Sequence, residues 1–119
     1  RKGAALALGR IGSKDATLSL IKSLNNSNED VRLQVRSALA DIGKEAIPAL
    51  TSALSTEKDP HTRAGAALTL GKIGGPEAEN SLIKAQDDED EYVQRIAREA
   101  LNGIRRHNLG EDTPELHDR

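Results

Sequence analysis

Apolar residues recur along this chain at two spacings, one helical and one of 31 residues. Leu8, Leu39, Leu70 and Leu101 form one column, and Ile11, Ile42, Ile73 and Ile104 form another. Ala4, Val35, Ala66 and Ala97 make a third, and Ala7, Ala38, Thr69 and Ala100 a fourth. Within each copy the four columns fall at i, i+3, i+4 and i+7, which is one face of an α-helix. This predicts a helix A in every copy. Gly12, Gly43 and Gly74 follow the last residue of the stripe. There a glycine can take a positive φ and end the helix without a Cβ clash.

A second stripe predicts a helix B: Ala16, Leu20, Ile21 and Leu24; then Ala46, Leu50, Ala53 and Leu54; then Ala78, Leu82 and Ile83. Pro76 suits the first turn of its helix, and Pro48 requires a helix that begins just before it. Ile42 to Ala46 is one residue shorter than the matching steps of the other copies, and Leu54 to Arg63 is one longer than Leu24 to Arg32. The two changes cancel and both fall in loops, so helix register is kept while the connections vary. Side-chain oxygens at Ser27 to Asp30, at Asp59 before Pro60, and along Asp87 to Glu91 mark the starts of successive A helices.

The chain therefore reads A-B, A-B, A-B and a fourth A, about seven helices. One A-B pair has two narrow apolar stripes and cannot bury both alone, so the pairs must stack. The expected fold is an all-α, right-handed α-solenoid of helix-turn-helix repeats. Gly9, Ala40 and Gly71, one step after the Leu column, would let neighbouring helices approach closely. The repeats are placed at about 1–30, 31–61 and 62–92, with a partial copy at 93–110. In that last copy Arg105 replaces the turn glycine and Asn102 the small residue. Its helix is expected to run toward Asn108, stop near Gly110, and present Gln94, Arg95, Arg98 and Glu99 to solvent as a cap. Residues 111–119 read as a polar, disordered tail. The chain begins at Arg1, without Met, inside a helical pattern and with no matching N-terminal cap, as expected of a piece of a longer array.

Composition narrows the function classes. Tyr92 is the one aromatic (Phe, Trp, Tyr) residue, so the core must come from Leu, Ile, Val and Ala, which suits closely packed helices. With 17 basic and 19 acidic residues the formal charge of −2 gives no general attraction to phosphate backbones or anionic lipid. The lack of cysteine excludes disulfides and thiolate metal sites, and fits a reducing, cytoplasmic setting. No apolar run is long enough to span a membrane.

The strings "LALGRIGSKDATLSLIKSL", "SALADIGKEAIPALTSAL" and "LTLGKIGGPEAENSLIKA", with Val31-Arg32 and Thr62-Arg63 opening the next units, closely resemble HEAT-like repeats of the PBS-lyase type. The resemblance covers residues 1–105. It implies the same solenoid, with B helices lining a concave side where partners sit. Members of that family include scaffolds, assembly factors and subunits of bilin lyases. The departures are Gln86 in place of the last Leu of helix B, Gln94 in place of Arg, and the aberrant fourth copy.

Four sets of residues invite a chemical reading. Arg1, Arg32 and Arg63 form a column that could grip an acidic ligand. Pairing with the acidic loop before each helix, at Asp30 and Asp59, is the stronger expectation, as exposed ion pairs of small individual worth. The run Asp87 to Glu91 suggests a metal, but it lacks the glycine and the closing glutamate of a calcium loop and is an ordinary acidic helix start. His61, His107 and His117 have no ligand spacing, and none precedes a Glu as in the iron-binding deoxyhypusine hydroxylase that resembles this chain in fold. Arg95, Arg98, Arg105 and Arg106 could touch nucleic acid, against which stand the scarcity of aromatics and the net charge. No catalytic triad, phosphate loop or paired buried carboxylates can be placed, so no catalytic residue, metal or cofactor is expected.

The expected function is a non-enzymatic scaffold that binds a protein partner on the exposed faces of its B helices, with neither nucleic acid nor membrane. Thr17, Lys22, Thr51, Ser52, Asn80 and Lys84 are the expected contact residues, because they fall off the apolar stripe. The alternative is a subunit of a phycobilin lyase or a related chromophore-processing factor.

Overall fold

The computed structural model describes residues 15–109. Residues 15–22 are helical and are here α1; a short 3₁₀ turn, Ser23–Asn25, completes this first B helix. Then follow α2 (Glu29–Ile42), α3 (Ile47–Thr56), α4 (Pro60–Ile73), α5 (Pro76–Ala85) and α6 (Glu91–Asn108). There is no strand among the described residues. Five complete helices thus stand where seven were expected. The first B helix is α1, described from residue 15 onward, and the first A helix and the tail at 111–119 lie outside the described residues. The fold is an all-α solenoid in which α2, α4 and α6 are successive A helices and α3 and α5 are B helices.

Each A helix starts where its side chains can satisfy the first N–H groups. Asn28 accepts from the Asp30 and Val31 amides, Asp59 from His61, and Asp90 from Tyr92 and Val93. The three caps are 31 residues apart, so the repeat extends to the helix starts. Gly43 (φ 76°) and Gly74 (φ 73°) end α2 and α4 as the spacing predicts. Pro48 and Pro76 both lie in first turns, where the missing N–H is harmless.

The core is aliphatic. Leu39, Leu70 and Leu101 are each at most 1% exposed, and Val35, Ala66 and Ala97 lie beside them. From the B helices come Leu24, Leu50 and Leu82. Small residues set the helix spacing: a Cβ on Gly71 would lie 2.8 Å from the Ala100 Cβ, so α4 and α6 approach as closely as the sequence predicts. Helix α4 sits in the middle of the array and touches α2, α3, α5 and α6, so Thr62 to Ala67 are all buried together with Thr69 and Leu70. Thr69 lies in the core because its hydroxyl donates to the Gly65 carbonyl at 2.8 Å, one turn back in its own helix. Helix α6, at the end of the described array, is buried only along Val93, Ile96, Ala97, Leu101 and Ile104. Its opposite face carries Arg95, Arg98 and Glu99, as a cap requires. Gln94 departs from that expectation: it is half-buried and turned inward.

Candidate functional site

The B helices expose one face each, and the pattern of burial sets its register. Lys22, Ser52 and Ile83 are equivalent positions, 30 and then 31 residues apart, and all three are exposed. Leu18 and Pro48 extend the same face along α1 and α3, while Asn80 and Lys84 flank Ile83 on α5. Leu18 is 56% exposed and Ile83 is 41% exposed, so with Pro48 this face combines three apolar side chains with two lysines. Lys22 also holds Glu57 at 2.9 Å, which ties the first B helix to the residue after α3.

Of the six residues expected to form the contact surface, Lys22, Ser52, Asn80 and Lys84 are exposed on this face. Two are not. Thr17 is buried at 5% exposure, because it shares a column with Ile47 and Ala78, both also buried. Thr51 shares a column with Ile21 and Leu82 and is half-buried, with its hydroxyl 2.7 Å from that of Ser81 on the next B helix. The corresponding errors on the apolar side are Ala16 and Ile83, expected in the core and found exposed. Ala16 and Ala46 are 30 residues apart but Ala46 and Ala78 are 32 apart, so the predicted stripe sets α5 one residue out of the register that burial shows.

The arginine column has a different role from the expected one. Arg63 is 6% exposed and does not pair with Asp59. Its Nε and Nη2 donate to the two carboxylate oxygens of Asp88, at 2.9 and 3.0 Å, across the junction to the next copy. Its Nη1 donates to the Glu57 and Lys58 carbonyls, both at 2.9 Å. The guanidinium is thus enclosed by a planar carboxylate and two peptide oxygens, and the hydrogen bonds to Asp88 raise its pKa above the ordinary arginine value. Arg32 and Gln94, the same position in the neighbouring copies, make the corresponding reach to the carbonyls of Asn26 and Asp88. Gln94 therefore keeps the carbonyl contact of the column without its carboxylate partner.

Part of the acidic run is engaged in the same junction. Asp88 accepts the Asp90 amide as well as Arg63, and Asp90 caps α6. Asp59 accepts from the Asn25 side chain at 2.8 Å and from the His61 amide, and these two bonds, the Asn25 one first, hold its carboxyl below the usual carboxylate range. Among the described residues no three His, Cys, Asp or Glu side chains converge as metal ligands. Of the four arginines considered for nucleic acid, Arg95 lies over the Tyr92 ring at 5.4 Å and Arg105 faces Glu79 at 3.6 Å. Arg98 and Arg106 are exposed.

Paired helices stacked at a fixed repeat, with caps and clasps recurring between copies, define an α-solenoid repeat protein. A family model for HEAT repeats matches residues 17–102, well over half of the chain, and one for the PBS lyase HEAT-like repeat matches residues 1–26. The chain belongs to the HEAT-repeat family. No curated protein matches it. HEAT repeats are in general protein-interaction scaffolds, and among the described residues no helix is long and apolar enough to cross a membrane.

Proposed function

We propose that this chain is a non-enzymatic interaction module whose solvent-facing B helices form the concave, partner-binding side of a short solenoid spanning residues 1–110. The observation that carries the reading is the aligned face of Leu18 and Lys22, Pro48 and Ser52, and Ile83 and Lys84. Exposed apolar side chains beside lysines suit a protein surface with apolar anchors and acidic neighbours. A cytoplasmic partner fits the absence of cysteine.

Affinity purification with quantitative mass spectrometry tests this. Proteins retained by the wild-type chain should be lost with Ser52→Glu, which sets an anion against the partner's acidic groups at the centre of the face without touching the core. Undiminished recovery with Ser52→Glu and with Ile83→Glu would reject the helix B surface. The match of residues 1–26 to the PBS lyase HEAT-like repeat supports a second reading, a lyase subunit. A shift of the visible absorbance of a free bilin on mixing with the chain would favour that reading, and an unchanged spectrum would count against it.

A further inference from the structure

A cleft of about 340 Å³ opens among the A helices, and the helix B reading makes no use of it. Leu24, Ala64, Gly65 and Leu68 give it an apolar base. Arg32 and Arg36 of α2, His61 of α4 and Tyr92 of α6 surround that base, with Asn25, Asn26 and Ser27 completing the lining. Arg32 and Arg36 are one helical turn apart and so share a face. Tyr92 meets His61 edge-on, with ring centroids 5.7 Å apart, and is itself 38% exposed.

The two arginines are underused. One copy later, Arg63 is filled by a carboxylate and two carbonyls. Among the described residues Arg32 has the Asn26 carbonyl and no carboxylate. Arg36 is half-buried and has neither a hydrogen bond nor an ion pair among the described residues. A guanidinium drawn partly out of water without a counterion favours an anion that restores its hydrogen bonds, and its planar fork matches a carboxylate.

We infer that this cleft binds an acidic peptide segment of a partner protein. A glutamate or aspartate side chain lies on Arg32 and Arg36, and the adjacent apolar side chain lies on Leu68. Charge and size both point to this occupant. The first turn of α2 carries Glu29 and Asp30, Asp59 is bonded to the lining residue Asn25, and Glu91 adjoins Tyr92. An extended polyanion would meet those carboxylates, whereas one carboxylate flanked by apolar groups would not. The volume suits one or two side chains. Its arginines and aromatic rings come from A helices and none of its lining residues belongs to the exposed helix B face, so it can stand or fall independently of that surface.

The test is a nuclear magnetic resonance titration of the full ¹⁵N-labelled chain with the amidated tripeptide N-acetyl-Leu-Glu-Leu. Saturable shifts should be confined to residues 24–27, 32–36, 61–68 and 92. Replacing the peptide's glutamate by glutamine should weaken binding about tenfold or more, since the charge-assisted fork is lost. Arg36→Gln should have the same effect while leaving the unliganded spectrum otherwise native. Equal affinity for the two peptides, or no saturable shift at millimolar peptide, overturns the proposal without the need for any variant. Tighter binding of inorganic phosphate or of a short oligonucleotide at the same residues also overturns it, in favour of a phosphate ligand.

Discussion

Arg32 and Arg63 occupy the same position in successive copies, and both reach back to the peptide carbonyl six residues earlier. Beyond that they part. Arg63 closes the junction between α4 and α6 on Asp88, whereas Arg32, at the junction between α2 and α4, lines an open cleft. The difference lies in the partner's position, 25 residues further on. Asp88 is short enough to accept the amide of Asp90 while facing Arg63, so its carboxylate is already held in place. Its counterpart Glu57 has one more methylene, makes no such turn, and is engaged by Lys22 instead. The length of this carboxylate and its engagement by Lys22 together accompany the difference between an arginine that fastens two repeats and one that lines a cleft.

The largest test of this contrast removes the closed pair. Asp88→Ala leaves Arg63 buried without its counterion and should cost about 3–5 kcal/mol in urea unfolding, while Glu57→Ala should cost at most about 1 kcal/mol because its pair is exposed. Equal costs would mean that the two junctions are alike. The apolar columns make the opposite prediction. Leu39 and Leu70 are both fully buried, so truncation of either to Ala should cost about 2–5 kcal/mol and leave little folded protein at 37 °C by circular dichroism. A large difference between these two would show that the junctions differ in packing and not in polar contacts alone.

Gly71→Ala probes the closed junction sterically. The added methyl meets Ala100, and a loss of about 1–3 kcal/mol is expected, recovered in part by Ala100→Gly. Asp59 probes the open one. Its pKa is lowered by folding, so its contribution is fully present above the unfolded value near 3.8 and is lost as pH falls through the lower folded value. Asp59→Ala should cost about 1 kcal/mol at neutral pH through the lost cap. The gap between wild type and variant should narrow in acid melts below that range. A gap that stays constant to low pH would show that the carboxylate is not held by Asn25 and His61 in solution. The smallest effect on stability, under about 1 kcal/mol, is expected of Glu57→Asp. It reproduces the geometry of Asp88, should draw Arg32 into a pair, and should weaken peptide binding in the cleft.

The repeat made much of this legible in advance. Periodicity marked the A helices, their terminating glycines and the Leu column, because every copy faces the same kind of neighbour and local rules are enough. The helix B surface was read less well. Ala16 and Thr17 are both compatible with a helix start, and only alignment with Ile47 and Ala78 shows which one faces inward. The cleft was not legible at all: Arg36 belongs to no column, and Leu24, His61 and Tyr92 come from three different copies.

By itself, then, the amino-acid order determined an all-α array, where its A helices begin and end, and which leucines fill it. These depend on residues within one turn or at one fixed period. Which arginine is enclosed and which is left available was decided by tertiary structure alone. That outcome depends on the length and prior commitments of a carboxylate 25 residues away, and these are fixed only when the next repeat docks.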